Sequence, residues 1–379
     1  MKFLHLSDLH LGKRVNEFSM LEEQEEILNQ ILQIADDETP DGIFIAGDVY
    51  DKSVPSAEAV QLFDKFLSEL AKRHLQVFII SGNHDSPERI AFGSNIMDVS
   101  GIHLSPVYNG NIFPITLKDE YGNVNVYMLP FLKPAHVRRF FEDEDVLNYT
   151  DAMRVAIKAM NVNTNERNVL VTHQFVTGAS TCESEEISVG GTDNVDANVF
   201  ADFDYVALGH IHGPQNCGSD RVRYCGTPLK YSFSEAKHQK SVTVVEINSK
   251  KAPVIRTINL TPIHDMSEIR GTFSELTDPV YFTNNPIRNN YLRITLTDED
   301  DIPDAVVRLR NIYKNLMRLD YDNNRTRASS LLSGDADTET KSAYELFAKF
   351  FEKQNNAPMS DKQSEYMINL IEEVEEELV

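Results

Sequence analysis

Apolar runs of strand length recur through the first 260 or so residues, and polar, chemically versatile side chains follow each of them. Residues 2–6 alternate and then give way to Ser7-Asp8-Leu9-His10-Leu11-Gly12. A buried run at 43–46 ends at Gly47-Asp48, and a β-branched and aromatic run at 76–80 ends at Ser81-Gly82-Asn83-His84-Asp85. Residues 168–172 lead to His173, and residues 204–208 lead to Gly209-His210-Ile211-His212-Gly213. Each run is bounded by turn residues, which predicts strands rather than helix fragments. Helical spacing fills the intervals. Residues 20–36 place Ile27, Leu28, Ile31, Leu32 and Ile34 on one stripe, and residues 53–73 do the same with Val60, Phe63, Phe66, Leu67 and Leu70. A hairpin is predicted from 112–117 and 124–130 around Tyr121-Gly122-Asn123, and a further helix at 149–160. Alternating strands and helices predict an α/β layered fold, with strands at 221–225, 241–247 and 254–260 completing a second sheet.

The pattern breaks near 262–280. Beyond it, 291–296 reads as strand, 304–317 as helix and 319–321 as a short return strand, a small α/β module of its own. Residues 326–340 are rich in Ser, Gly, Asp and Thr without periodicity and read as a linker. Two amphipathic helices close the chain. Ala343, Leu346, Phe347, Phe350 and Phe351 share one face, and Tyr366, Met367, Leu370, Ile371 and Val374 share another after the capping-box pattern Ser360-Asp361-Lys362-Gln363. These stripes could be ordinary core, but their place past a linker favours a partner face.

At about 150 residues per domain, 379 residues suggest two or three domains. The formal charge of −23 argues against a uniformly basic nucleic-acid face. A polyanionic substrate would then be attracted by metal ions, by local basic patches such as Lys13-Arg14, Arg89, Arg138-Arg139 and Lys230, or by a partner protein. The three cysteines, Cys182, Cys217 and Cys225, form no metal-type pair and no even disulfide set, so a reduced, cytoplasmic setting is expected. No signal-peptide layout and no apolar run of membrane-spanning length is present.

Collected together, the strand-end groups are Asp8, His10, Asp48, Asn83, His84, His173, His210 and His212. The C-terminal rim of an open α/β sheet is where such folds bind ligands. Carboxylate, imidazole and amide oxygen suit Mn²⁺, Fe²⁺ or Zn²⁺, and thiolates are absent from the set. Seven of these eight side chains can be divided between two ions with one carboxylate bridging. Two divalent ions about 3.5–4 Å apart activate a hydroxide for in-line phosphoryl displacement. Taken singly, each motif has a plainer reading. Asp8-x-His10 could be a turn pair, Gly47-Asp48 a strand-ending turn, and His173 a satisfied core histidine. Their joint occurrence in this order is what favours a two-metal site.

The order Asp-x-His, Gly-Asp, Gly-Asn-His-Asp, a lone His after a strand, then Gly-His-x-His resembles the calcineurin-like metallophosphoesterase superfamily. Residues 4–12 and 207–212, together with the segment from Arg223 to Glu235, are similar to the nuclease family of SbcCD-type complexes. The resemblance spans roughly residues 1–325 and, more weakly, the tail. It implies a two-sheet metallophosphoesterase sandwich flanked by helices over 1–262, a small α/β capping domain at 265–325, and a C-terminal helix pair at 341–379 that binds the partner. It also implies one ion held by Asp8, His10, Asp48 and His212 and another held by Asp48, Asn83, His173 and His210. His84 would face the scissile phosphate and protonate or stabilise the leaving oxygen, with Asp85 orienting it. The implied activity is Mn²⁺-dependent exonuclease and endonuclease cleavage of DNA ends and hairpins, in repair, recombination or replication. The implied assembly is a homodimer with an SbcC-type coiled-coil ATPase.

A phosphodiesterase or phosphatase for small substrates is a second reading, though it needs neither the extra module nor the terminal helices. A non-cutting scaffold for DNA ends is a third, and it predicts missing ligands. None of the five motifs is broken.

Overall fold

The computed structural model describes residues 1–185, 194–250, 252–283 and 285–324, with scattered positions between 347 and 370. The linker expected at 326–340 and most of the two closing helices lie outside the described residues.

Two six-stranded sheets face one another. In the first, Lys2–Leu6, Gly42–Ala46, Gln76–Ile80 and Ile102–Leu104 run parallel, each hydrogen-bonded to the next. In the second, Gly122–Leu129, Arg167–His173, Tyr205–Gly209 and Ser219–Tyr224 form the parallel centre. The short Gln215–Cys217 strand and the Ile115–Asp119 hairpin arm lie antiparallel at the edges of the second sheet. Phe3, Phe44, Phe78 and Ile80 from one sheet meet Val126, Val169, Val171, Tyr205 and Ala207 from the other in a buried layer between them. Strands buried on both faces read as continuous apolar runs, which is why the sequence announces them so clearly.

One expectation is corrected here. Ser241–Glu246 and Val254–Asn259 do not complete the second sheet. They extend the first, with Lys2 opposite Glu246 and the last two strands antiparallel to each other. The N-terminal strand offers an open edge to the end of the same domain, and such long-range pairing leaves no local mark in the sequence.

The outer face of the first sheet is covered by helices Leu21–Glu38 and Ala57–Lys72, whose stripes are those the spacing predicts. Ser56 caps the second of these by accepting from the Ala59 amide, 3.3 Å away. Helix Tyr149–Ala159 covers the second sheet. His5 ties the two sheets together. Its Nε2–H donates to the Leu208 carbonyl at 3.1 Å, and its Nδ1 accepts from the Tyr205 hydroxyl at 2.9 Å. Burial, with Arg223 nearby, pushes its pKa down to about 3.

The C-terminal module contains three parallel strands, Met266–Gly271, Tyr291–Leu296 and Leu316–Tyr321. The spacing does not predict the first, because its inward residues Met266 and Ile269 are three apart and break the strand period of two. The helix expected over 304–317 is shorter, Ala305–Arg310, since Leu316 and Met317 are drawn into the last strand. The module is pinned to the first helix by Glu23, whose carboxylate accepts the amides of Ile263 and His264 at 2.8 and 3.0 Å. Among the described residues no helix is long and apolar enough to cross a membrane.

Phe44 stacks on Phe3 with centroids 4.6 Å apart at the middle of the inter-sheet layer. Phe44→Ala is expected to cost about 3–5 kcal/mol through lost transfer energy and an unfilled cavity. A thermal or urea melt of the purified chain should show a matching fall.

Candidate metal centre

Every strand-end group expected at the site comes to one rim. Two loops are zipped together first. The Asp8 amide donates to the Gly47 carbonyl at 3.0 Å, His10 to Asp48 at 2.9 Å and Leu11 to Val49 at 2.9 Å. To turn their side chains inward, Asp8 (φ 53°), His10 (φ 45°), Asp48 (φ 48°) and His210 (φ 106°) adopt positive φ. Such conformations in non-glycine residues cost about 1–3 kcal/mol each and cluster at functional sites. Packing leaves no room for extra atoms behind them. A Cβ on Gly82 would lie 2.1 Å from the Asp48 carboxylate, and one on Gly209 would lie 1.9 Å from the Ala46 carbonyl.

Asp48 occupies the centre. Its Oδ2 is 3.4 Å from His173 Nε2, 3.8 Å from His10 Nε2 and 3.9 Å from His84 Nε2. On one side the Asn83 Oδ1 lies 2.9 Å from His173 Nε2 and 3.0 Å from His210 Nδ1. On the other, His10 Nε2 and His212 Nε2 approach to 3.3 Å, and a carboxylate oxygen of Asp8 lies within 4.8 Å of both rings' ligand atoms. A second triad joins Asp8, Asp48 and His173 on the same criterion.

Proton counting shows what these contacts need. His173 Nδ1 lies 2.8 Å from the Ala46 carbonyl, which can only accept, so the neutral ring carries its proton there. In that neutral form its Nε2 is a bare lone pair aimed at an amide oxygen and a carboxylate, and in the charged form the same nitrogen donates to them. His212 is fixed in the same way. Ser184 gives its one hydrogen to Glu235 Oε1 at 2.6 Å and so accepts from His212 Nδ1–H at 2.8 Å, leaving Nε2 bare towards His10. Acceptor atoms facing one another in a buried site call for a proton or a cation. The donor set of carboxylates, imidazoles and one amide oxygen fits a divalent metal. His10 Nδ1 and His210 Nε2 are buried with no hydrogen-bond partner among the described residues.

The electrostatics agree. Burial depresses the His10 pKa well below normal, and it pushes His210 down to about 3, with His173 adding to the effect. His173 goes the other way. Burial opposes its charge, but the Asp48 carboxylate outweighs this and raises it to about 9. Asp48 is correspondingly held far below the usual carboxylate range, against its burial, by His173, His10 and His84.

Asp85, expected to orient His84, does something else. Its carboxylate accepts the amides of Gly82, Val49 and Tyr50 at 2.9, 3.1 and 3.0 Å, so it braces the loop backbone. Burial, and then Asp48, raise its pKa to about 6. Among the described residues the Asp51 carbonyl lies 3.0 Å from the His84 Nδ1. Lys13 and Lys230, considered for DNA, are ion-paired with Asp51 at 2.6 Å and Asp265 at 2.7 Å.

Residues that sequence reasoning missed lie just behind the candidate ligands. Gln24 clamps the first loop, donating from Nε2 to the His10 carbonyl at 2.8 Å and accepting the Gly12 amide at 3.0 Å. Ser184, Glu235 and Lys240 stand behind His212. Glu235 ends the segment whose family resemblance the sequence shows, and Gln24, Ser184 and Lys240 carry no motif.

The model of the calcineurin-like phosphoesterase family matches residues 1–214, and that of the type 5 capsule protein repressor C-terminal domain matches residues 262–355. A relative from Staphylococcus epidermidis, named as the SbcD component of the nuclease SbcCD, is 32% identical over 84% of this chain and 85% of its own. One of the same name from Staphylococcus saprophyticus is 33% identical over 84% of each chain. Among solved structures, a dimetal phosphatase from Danio rerio is similar over 68% of this chain and 98% of its own, at 11% identity and a TM-score of 0.42.

In the metal-free chain the raised His173 pKa of about 9 means that this ring is charged at neutral pH. Metal must displace that proton, so affinity should climb with pH until about 9 and then level off. Calorimetric Mn²⁺ titrations at a pH of about 7.5, in buffers of different ionisation enthalpy, should show proton release, and His173→Asn should remove that share.

Proposed function

The chain belongs to the calcineurin-like phosphoesterases and, within them, to the SbcD nucleases, and from that premise we propose that it cuts DNA ends and hairpins as the Mn²⁺-dependent exonuclease and endonuclease component of an SbcCD-type complex. Membership makes it a metal-dependent phosphodiester hydrolase. The observation that supports the finer reading best is the convergence of imidazole nitrogens on the Asp48 carboxylate and the Asn83 amide oxygen.

In this reading Asp8, His10, Asp48 and His212 hold one ion, and Asp48, Asn83, His173 and His210 hold the other. Divalent ions in that cradle supply a hydroxide nucleophile at neutral pH and offset the charge on the phosphodiester. The residues supply position. Asp48 would serve both halves of the cradle, because its Oδ2 lies 3.8 Å from His10 Nε2 on one side and 3.4 Å from His173 Nε2 on the other. The Asp51 carbonyl takes the Nδ1–H of His84, so a proton for the leaving oxygen would be carried on Nε2, which faces the cradle 3.9 Å from Asp48. Asp85 serves indirectly, by holding the Gly82 and Val49 amides that shape both loops.

The proposal extends to the organisation of the chain. Residues 1–262 form the nuclease domain, 265–325 a capping domain, and 341–379, beyond a linker at 326–340, the helices that bind a coiled-coil ATPase. Self-association as a homodimer is supported by Phe92, Ile96, Val99 and Phe113, which are each at least 80% exposed. With a net charge of −23, approach to DNA would rest on the ions and on the partner.

Two substitutions test the assignment. His84→Gln should lower DNA cleavage by about 10²- to 10⁴-fold, the range of a general acid, while leaving metal content unchanged. It should cost much less on a bis-aryl phosphate, whose leaving group needs no proton. Asp48→Asn should abolish turnover of both and lower the bound metal. The comparison is Mn²⁺-supported hydrolysis of linear duplex DNA, bis-aryl phosphate and cyclic nucleotides. Strong turnover of nucleotides with none of DNA would overturn the nuclease reading.

A further inference from the structure

His212 is held from behind by groups that belong to two separate segments. Ser184 accepts its Nδ1–H at 2.8 Å and donates to Glu235 Oε1 at 2.6 Å. The adjacent residue, Glu185, accepts the His212 backbone amide at 2.6 Å and the Cys182 amide at 2.6 Å. The Glu183 amide reaches Ser234 Oγ at 3.1 Å. Residues 182–185 therefore clasp the 209–213 turn on one side and the 232–235 turn on the other.

Glu235 is fully buried and is itself immobilised. Its Oε2 receives Lys240 Nζ at 2.5 Å, and its Oε1 also receives the Tyr231 amide at 3.2 Å. Lys240 directs its remaining donors to the Thr227 hydroxyl at 2.7 Å and the His212 carbonyl at 2.9 Å. A buried ion pair so fully hydrogen-bonded is rigid, and removing one member leaves an uncompensated charge. The direction of donation through it is forced. A carboxylate accepts only, so the single Ser184 hydrogen points at Glu235, the hydroxyl must accept from His212, and Nε2 of that ring is left as the free ligand atom.

We propose that Ser184 and Glu235 are positioning residues for His212, fixing its tautomer and ring orientation and so setting the affinity of the ion that this ring serves. The inference rests on His212 being a metal ligand. Outer partners of ligating histidines typically govern metal affinity by about 10- to 100-fold. Such an effect should fall on one ion and spare the other, because His173 and His210 take their orientation from the Ala46 carbonyl and Asn83 instead.

The test is Mn²⁺ binding to the full-length chain, followed by calorimetry for stepwise affinity and by electron paramagnetic resonance for spin coupling between paired ions. Ser184→Ala and Glu235→Gln should weaken one binding step by about 10- to 100-fold, leave the other within about twofold, and replace the coupled signal with that of isolated Mn²⁺. Ser184→Thr, which keeps the hydroxyl, should restore both. His212→Asn provides the reference. If it removes one step while Ser184→Ala binds both ions as the parent does, the positioning role is overturned and the metal site stands. If His212→Asn also keeps both ions, the site assignment is overturned with it. Should Glu235→Gln melt early, Ser184→Ala decides alone, since it deletes one oxygen from a half-buried side chain.

Discussion

Ligand-type oxygens and nitrogens that face one another in a buried pocket are the condition to which the rest of this rim is fitted. Asp48 Oδ2, Asn83 Oδ1 and the inward nitrogens of His173 and His212 converge there, and without a metal a proton on His173 separates its ring from the carboxylate. Left alone, such an arrangement would relax outward. Here it cannot, because the backbone behind each group is already committed. The Asp8 and His10 amides are bonded to the neighbouring loop, the Gly82 and Val49 amides to Asp85, and the outward nitrogens of the rings to carbonyl or hydroxyl oxygens. The positive φ values of Asp8, His10 and Asp48 have the same origin, since aiming short side chains at one point strains the backbone that carries them.

Parts of this were legible in the chain and parts were not, for separable reasons. The central strands announce themselves because both faces of a parallel sheet are buried, giving unbroken runs such as Gln76–Ile80. A strand end is also where chemistry shows, so Asp8, His10, Asp48, Asn83, His173, His210 and His212 can be collected from the sequence alone, and all seven meet at one rim. What stayed hidden was long-range or indirect. Nothing local says that Ser241–Glu246 should return to the N-terminal strand rather than join the second sheet. Nothing local marks Met266–Gly271, whose two inward residues break the alternation. Glu235 closes the segment that carries the family resemblance and Lys240 follows it, but only their burial shows that they stand behind a histidine more than twenty residues away. Asp85 is the instructive error. Adjacency to His84 suggests a partner for the ring, whereas the turn sends its carboxylate back onto three amides.

The junction with the C-terminal module follows the same physics. Glu23 is buried on the first helix and gives its oxygens to the amides of Ile263 and His264, and the His264 ring adds a contact at 2.8 Å. Lys230, on the segment that leads from the candidate metal rim to Glu235, pairs with Asp265 at the same junction. Movement of the module relative to the sheets would therefore pull on a segment continuous with the support of His212.

The pairing of the first strand with Ser241–Glu246 bears on how the protein is made. The Met1 amine and the Ile247 carbonyl that meet at the sheet edge are 246 positions apart. During synthesis the opening strand leaves the ribosome long before its antiparallel neighbour exists, so one flank of the central sheet stays unpaired until nearly the whole of both sheets has been translated. Asp8 and His10 wait similarly for His210 and His212. The nascent enzyme thus passes through a period with an adhesive edge and no completed cradle, and this connectivity delays cutting power until the sandwich has closed.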